Sequence, residues 1–308
     1  MQRVLTTVTL LGLLMASAAA FAITEHLKLV KSPLSGVRFS RVFSPVCHCA
    51  TDTAVVSVKL RRPDRVTVTI VDAAHRTVAT VGSMRLPAHG QHVFAWDGRT
   101  QAGGIAPDGT YHPWVHLARA RRTYRFTNNI TLDTKPPQVQ SASAAKTVLL
   151  AGPGRTVAIR YAFDEPAHAL VYLGDRRIIL GRRSRPRDKV KWAGTLGGRP
   201  LRAGRYVLSV GAMDLAGNET SAGERKQVTV TVRYVELSPG RIVVRSGRRL
   251  TVHVRTAAKR YTWRLGHRHG ARRGKTLRLR APTTPGTYRL VVEENGHAET
   301  AVVLVRAK

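Results

Sequence analysis

Two cysteines one residue apart, Cys47 and Cys49 with His48 between them, are the only thiols in a chain of 308 residues. Three kinds of chemistry suit such a cluster. A structural zinc site needs four ligands; this segment supplies at most three, and no second cysteine pair exists to complete the set. His75, His89 or His92 would have to join from a distance, and nothing in the spacing singles them out. A redox-active pair usually takes the form Cys-x-x-Cys at a helix N-terminus, where the dipole lowers the thiol pKa. This pair instead precedes a β-patterned run. The third chemistry is a disulfide across one residue, closing a tight turn at the mouth of a domain. So small a ring removes little chain entropy, which puts its stabilisation at the low end of about 2–4 kcal/mol. Its use is shape, and such a bond persists in an oxidising compartment. The disulfide is the preferred reading, with a Cys-x-Cys thiol redox protein as a rival.

Other chemistry is sparse. Asp97 and Asp108 stand in Trp-Asp-Gly and Pro-Asp-Gly turns, where a carboxylate ordinarily bonds nearby backbone amides. No Gly-x-Ser-x-Gly, His-Glu-x-x-His or P-loop pattern occurs. The sequence therefore predicts no enzyme, no catalytic residue, no metal and no cofactor. Trp96, Trp192 and Trp263 read as core residues. Trp114 follows Tyr111 by three residues and so faces the opposite side of a strand; contact with a sugar ring or peptide is the sharper reading, core filling the simpler one.

The charge is the anomaly. There are 51 Lys+Arg against 18 Asp+Glu, a net +33. GC-rich coding explains many arginines but not the scarcity of acids. A field of this size attracts polyanions whatever the fold. The excess grows along the chain: 12 basic against 6 acidic residues in 42–135, 17 against 7 in 136–235, and 17 against 4 in 236–308. It concentrates in two runs. One carries Arg182, Arg183, Arg185, Arg187, Lys189 and Lys191. The other carries Arg268, Arg272, Arg273, Lys275, Arg278 and Arg280, where Leu277 and Leu279 alternate inward and the arginines outward. These twelve are the candidate polyanion-binding residues, and the second run predicts a continuous cationic stripe.

The elements that must position these residues are strands. "AVVSVKL", "RVTVTIVD", "TVAIRYAF", "YVLSVGAMD", "LTVHVRT" and "TYRLVVEE" alternate apolar and polar residues at period two, with breaks at Gly, Pro, Asp and Asn. One corner recurs: Gly109-Thr110-Tyr111, Gly204-Arg205-Tyr206 and Gly286-Thr287-Tyr288 each lead into an apolar strand. The intervals between these tyrosines are close to the length of a β-sandwich domain, roughly 100 residues. Trp96 and Trp192 precede the first two tyrosines by nearly equal distances; Trp263 stands much farther ahead of the third, which predicts a different strand for it. Breaks fall at "DTKPPQV" and "VELSPGRIVV". The expected fold is all-β, three tandem immunoglobulin-like β-sandwiches at 42–135, 136–235 and 236–308, after a linker at 24–41. At the N-terminus, Val4–Ile23 is an uncharged run. It matches the roughly 20 residues that cross a bilayer, which predicts a signal peptide or signal-anchor helix over 1–23.

The segment "FAWDGRTQAGGIAPDGTYHPWVHL", Phe94 to Leu117, resembles the Ig-like domain of the flagellar hook-cap protein FlgD and of Vpr-type secreted proteases. The shared features are Trp96-Asp97-Gly98-Arg99, Gly103-Gly104 and Pro107-Asp108-Gly109-Thr110-Tyr111. Phe43-Ser44-Pro45 is similar to the opening of such repeats in bacterial surface proteins; there an Asn-Gly-Asp-Gly turn usually follows, and here Val46 to Asp52 with both cysteines takes its place. Ala212 to Ser221 resembles the Asp-x-x-Gly-Asn strand end of bacterial Ig-like modules. The resemblance implies a structural or adhesive module, and for the FlgD likeness a scaffold in appendage assembly.

Together these readings predict a non-enzymatic extracytoplasmic protein, secreted or tethered by its N-terminal helix, whose basic distal domains engage an anionic envelope polymer or another surface protein. The membrane is a partner if the helix is uncleaved. A non-specific nucleic-acid binder is the alternative, although the chain lacks the aromatic stacking platforms such proteins use.

Overall fold

The computed structural model describes residues 11–22 and 32–308. Residues 11–22 are helical. At 1.5 Å per residue such a helix is about 18 Å long, against about 30 Å of bilayer hydrocarbon. Among the described residues no helix is long and apolar enough to cross a membrane. This corrects the expectation of a transmembrane tether, and with it the membrane as partner and a membrane-tethered location: hydropathy registered the whole uncharged run, but the described helix is shorter. Val4–Leu10 and Ile23, the rest of that run, lie outside the described residues.

Everything else regular among the described residues is β, apart from one 3-10 turn at Ala222–Glu224. The chain divides into two compact units, one ending at Thr134 and one spanning Lys135–Lys308.

The first unit holds β1 (Leu34–Phe39), β2 (Val42–Phe43), β3 (Ala54–Leu60), β4 (Asp64–Val71), β5 (Thr77–Leu86), β6 (His92–Trp96), β7 (Gly109–Leu117), β8 (Arg122–Arg125) and β9 (Ile130–Leu132). They form a three-stranded sheet, β1-β3-β6, and a larger one ordered β2-β9-β7-β4-β5, with β8 paired to β7. Strand β1 lies within the stretch that the sequence reads as linker. Only one of its residues is fully buried, so its alternation is faint and its pairing with β3 defines it. Between the sheets lies one apolar core that includes Phe43, Val56, Val58, Val66, Val68, Ile70, Trp96, Val115 and Leu132.

The second unit holds β10 (Val139–Ala144), β11 (Val148–Leu150), β12 (Val157–Phe163), β13 (His168–Leu173), β14 (Arg176–Ser184), β15 (Arg187–Trp192), a small hairpin of β16 (Thr195–Leu196) and β17 (Arg199–Pro200), β18 (Gly204–Met213) and β19 (Lys226–Arg233). After these come β20 (Val235–Ser238), β21 (Arg241–Arg245), β22 (Arg249–Thr256), β23 (Tyr261–Leu265), β24 (Arg268–Arg272), β25 (Thr276–Arg280), β26 (Gly286–Glu294) and β27 (His297–Arg306). The sheets repeat one plan. Three-stranded sheets β10-β12-β15 and β20-β22-β25 face five-stranded sheets β11-β19-β18-β13-β14 and β21-β27-β26-β23-β24. Two separate apolar cores fill this unit, one around Ile159, Trp192, Leu208 and Val230, the other around Val252, Tyr261, Leu277 and Val303.

The same plan orders all three cores. In each, a short early strand pairs in parallel with the last one: β2 with β9, β11 with β19, β21 with β27. In each, the corner tyrosine donates its hydroxyl to a carbonyl four residues back, Tyr111 to Pro107 at 2.5 Å, Tyr206 to Arg202 at 2.8 Å and Tyr288 to Thr284 at 2.9 Å. The bond fixes the turn into the strand, as in the tyrosine corner of immunoglobulin-like folds. Trp96 and Trp192 close the last strands of their three-stranded sheets, and their indole N–H groups donate to Arg99 and Thr195 carbonyls at 2.8 and 3.1 Å. Trp263 sits on β23 of the opposite sheet, against Gly270, where even a Cβ would approach its ring to 3.2 Å.

Candidate functional site

Cys47 and Cys49 lie in the turn between β2 and β3, and their sulfurs are bonded, with the Cα atoms 5.2 Å apart. Local hydrogen bonds build the turn: Cys47 N–H donates to Ser44 O at 3.3 Å, and Asp52 N–H to Cys49 O at 3.2 Å. His48 takes a left-handed φ of +50°, which lets the chain reverse within the ring. Both thiols of the chain are taken up in this bond. No group of three or more His, Cys, Asp or Glu able to hold a metal occurs among the described residues.

The turn aspartates are also occupied. Asp97 accepts from Arg99 N–H at 3.0 Å, and Asp108 accepts from both the N–H and the hydroxyl of Thr134 at 2.9 and 2.8 Å. An open cleft of about 670 Å³ passes Asp72, Thr100, Asp108 and Tyr111. Its acids serve structure. The Arg76 backbone N–H, followed by the Arg76 guanidinium, holds the Asp72 carboxyl below the usual range even though desolvation opposes them. A carboxylate so held is a poor proton donor near neutral pH. Trp114 is half-buried on the outer face of its sheet, but Arg125 lies over its ring at 4.6 Å and His75 packs beside it at 5.7 Å. Its surface is used within the chain.

The basic runs occupy sheet edges. Arg182 and Arg183 are on β14, the edge of a five-stranded sheet, and Arg185 is in the link to β15. Arg187, Lys189 and Lys191 are exposed on β15, the edge of the three-stranded sheet, alternating with Asp188, Val190 and Trp192. Opposite them on β12 stand Ala162, Arg160 and Ala158, and beyond these Ser141 and Ser143 of β10 pair with Ala162 and Arg160. Directly paired residues share a face, so this outer face is built of serine, alanine, arginine and lysine.

In the later sheets Arg278 and Arg280 are exposed on β25, while Leu277 and Leu279 are 0% and 6% exposed. Arg249 of β22 pairs with Arg280, and Thr251 with Arg278. On the same strand Arg255 is ion-paired with Glu236 at 2.9 Å. Arg268 and Arg272 belong to β24 of the other sheet, and Arg273 and Lys275 to the link between β24 and β25. Arg268 donates to the Arg280 carbonyl at 2.9 Å, joining the two free edges. The six cations therefore wrap a flank, two on a sheet face and four around its border. Charged edges also block edge-to-edge pairing with other chains. Arg160 and Arg249 escaped the sequence reading because each lies outside the two basic runs and gains its cationic neighbour only through strand pairing.

Residues 45–119 match the FlgD Ig-like domain family, and this part of the chain is an Ig-like domain of that type. Basal-body rod modification protein FlgD of Salmonella typhimurium is 41% identical over 63 residues, 20% of this chain and 27% of that protein; FlgD of Salmonella typhi gives the same values. The chain thus spans about a quarter of the length of the curated relatives it matches. Among solved structures, the fibronectin(III)-like modules of Clostridium thermocellum CbhA align over 64% of this chain and 94% of theirs, at 13% identity and a TM-score of 0.35. A structure from a 1.5-MDa bacterial ice-binding adhesin aligns over 90% of this chain and all of its own, at 12% identity and a TM-score of 0.27.

Proposed function

We propose that this chain is a non-catalytic extracytoplasmic protein of three tandem Ig-like sandwiches, 42–135, 136–235 and 236–308, serving as a structural or adhesive module. Its two later sandwiches engage anionic polymers of the cell envelope through the basic residues of Arg182–Lys191 and Arg268–Arg280. The observation that carries the reading is the placement of these cations on exposed edges and outer faces, where none of the twelve forms an ion pair among the described residues. The Cys47–Cys49 bond supports an oxidising compartment, and the match of residues 45–119 supports a structural role for the first sandwich.

The test is co-sedimentation of the purified chain with isolated bacterial envelopes across a salt series. Retention at low salt that falls steeply as salt rises, and is reduced in a variant with Arg187, Lys189, Lys191, Arg278 and Arg280 replaced by Gln, is the expected result. Equal retention of that variant would remove the basic faces from the function.

A further inference from the structure

Two like-charge pairs stand directly across neighbouring strands in the second unit. Arg160 of β12 is the register partner of Lys189 on β15, and Arg249 of β22 is the partner of Arg280 on β25. All four side chains are exposed and none forms an ion pair among the described residues. The strands are equivalent in the two sheets, the middle and edge members of a three-stranded sheet. Like charges directly opposite destabilise a ladder, so each pair opposes the fold unless an anion lies between. In the first unit the equivalent strands β3 and β6 pair Val55 with Ala95 and Ser57 with Val93, all neutral.

We propose that these two cation pairs are the seats of a phosphodiester chain with an aliphatic backbone. The inference rests on the polyanion reading above and narrows it. Directly opposed side chains have Cβ atoms about 4.5–5.5 Å apart, which lets two cations converge on the two free oxygens of one phosphodiester. Further cations follow along the same faces, Arg187 and Lys191 on either side of Lys189 and Arg278 next to Arg280. Each step is two residues, about 6.8 Å. Two peptide residues contain six backbone bonds, and so does one repeat of a glycerol phosphate polymer, so the two extended chains keep pace. Ala158, Ala162, Ser141 and Ser143 form a low floor beside the first pair, which lets a chain lie close. Thr251 and then His253 follow the second along β22. None of these outer-face positions offers a Trp, Tyr or Phe ring, so bases would have little to stack on.

The test uses the full chain with poly(glycerol phosphate), measuring thermal unfolding without polymer and affinity by calorimetry over a salt series. Lys189→Gln and Arg280→Gln are compared with Lys226→Gln, which removes an exposed charge outside both pairs. Expected for each pair variant is a higher unfolding temperature without polymer and a weaker affinity, with the log–log salt slope reduced by about 1. Lys226→Gln leaves both unchanged. The opposite signs matter, because loss of a merely structural contact would lower stability. Unfolding at or below the wild-type temperature overturns the frustration argument. Equal weakening by Lys226→Gln overturns the assignment of the seats while leaving general polyanion binding intact. Tighter binding of poly(dT) than of poly(glycerol phosphate) at equal charge overturns the ligand class in favour of nucleic acid. Failure of poly(glycerol phosphate), polygalacturonate and poly(dT) alike at low salt removes the broader polyanion reading too.

Discussion

Glu294 is 4% exposed at the end of β26, just before the Asn295-Gly296 turn, and its Oε2 has no hydrogen-bond partner. Burial pushes its carboxyl up, with a hydrogen bond from the Ala258 N–H only partly opposing the shift. Because the folded pKa lies above the unfolded one, about 4.3, the folded chain holds this proton more tightly. Stability from this group is therefore full below the unfolded pKa, declines as pH rises, and is lost above the folded pKa. Glu294→Gln should match wild type in acid and exceed it at neutral pH by on the order of 1 kcal/mol, read from urea unfolding at the two pH values. No gain at neutral pH would mean that the carboxylate finds a partner in solution. Nothing in "VVEENGHAE" distinguishes Glu294 from Glu293, because alternation says which side a residue faces and not how dry that side becomes.

At the scale of elements, the two sheets of the first unit approach closely at Gly82. This residue of β5 faces Phe94 of β6, and a Cβ there would stand 2.5 Å from the ring. Gly82→Ala forces the Phe94 ring to move, and overpacking of this kind costs about 1–3 kcal/mol. Circular dichroism melts should show it; an unchanged melting temperature would mean that the ring shifts freely. The sequence signalled strands in this unit through "AVVSVKL" and "RVTVTIVD", and the corner through Gly109-Thr110-Tyr111. It did not signal β1, a strand made by its neighbour more than by its own residues. The FlgD-type resemblance of Phe94 to Leu117 was legible because tryptophan, turn glycines and tyrosine serve one local structure: Tyr111 packs edge-on against Trp96, centroids 4.9 Å apart, and bonds back to Pro107.

At the scale of the molecule, three separate apolar cores lie along one chain. Cores that share no buried residues need not melt together, and large multi-core chains commonly depart from two-state unfolding. Differential scanning calorimetry should resolve more than one transition, with a calorimetric enthalpy above the van't Hoff value. A single two-state peak would show the cores to be thermodynamically coupled. Within the second unit a coupling element is visible: Tyr234 stacks on His297 at 3.6 Å, with the planes only 4° apart, and donates its hydroxyl to Leu201. The separation of transitions should therefore be widest between the unit ending at Thr134 and the remainder.

Period-two alternation, the recurring corner tyrosines and the net +33 were determined by the sequence alone, since each depends on residues close along the chain or on a sum over it. The β class and the repeated plan follow from the first two, and the charge is what prompts the polyanion proposal. Two things were decided only in the tertiary structure. The second basic run was divided between two sheets instead of forming one stripe. Arg160 and Arg249 were brought face to face with Lys189 and Arg280, partners well separated from them along the chain. Alternation fixes which face of a strand turns inward, but for strands not joined by a hairpin the residue that lies opposite is settled only when the two apolar faces close over a common core.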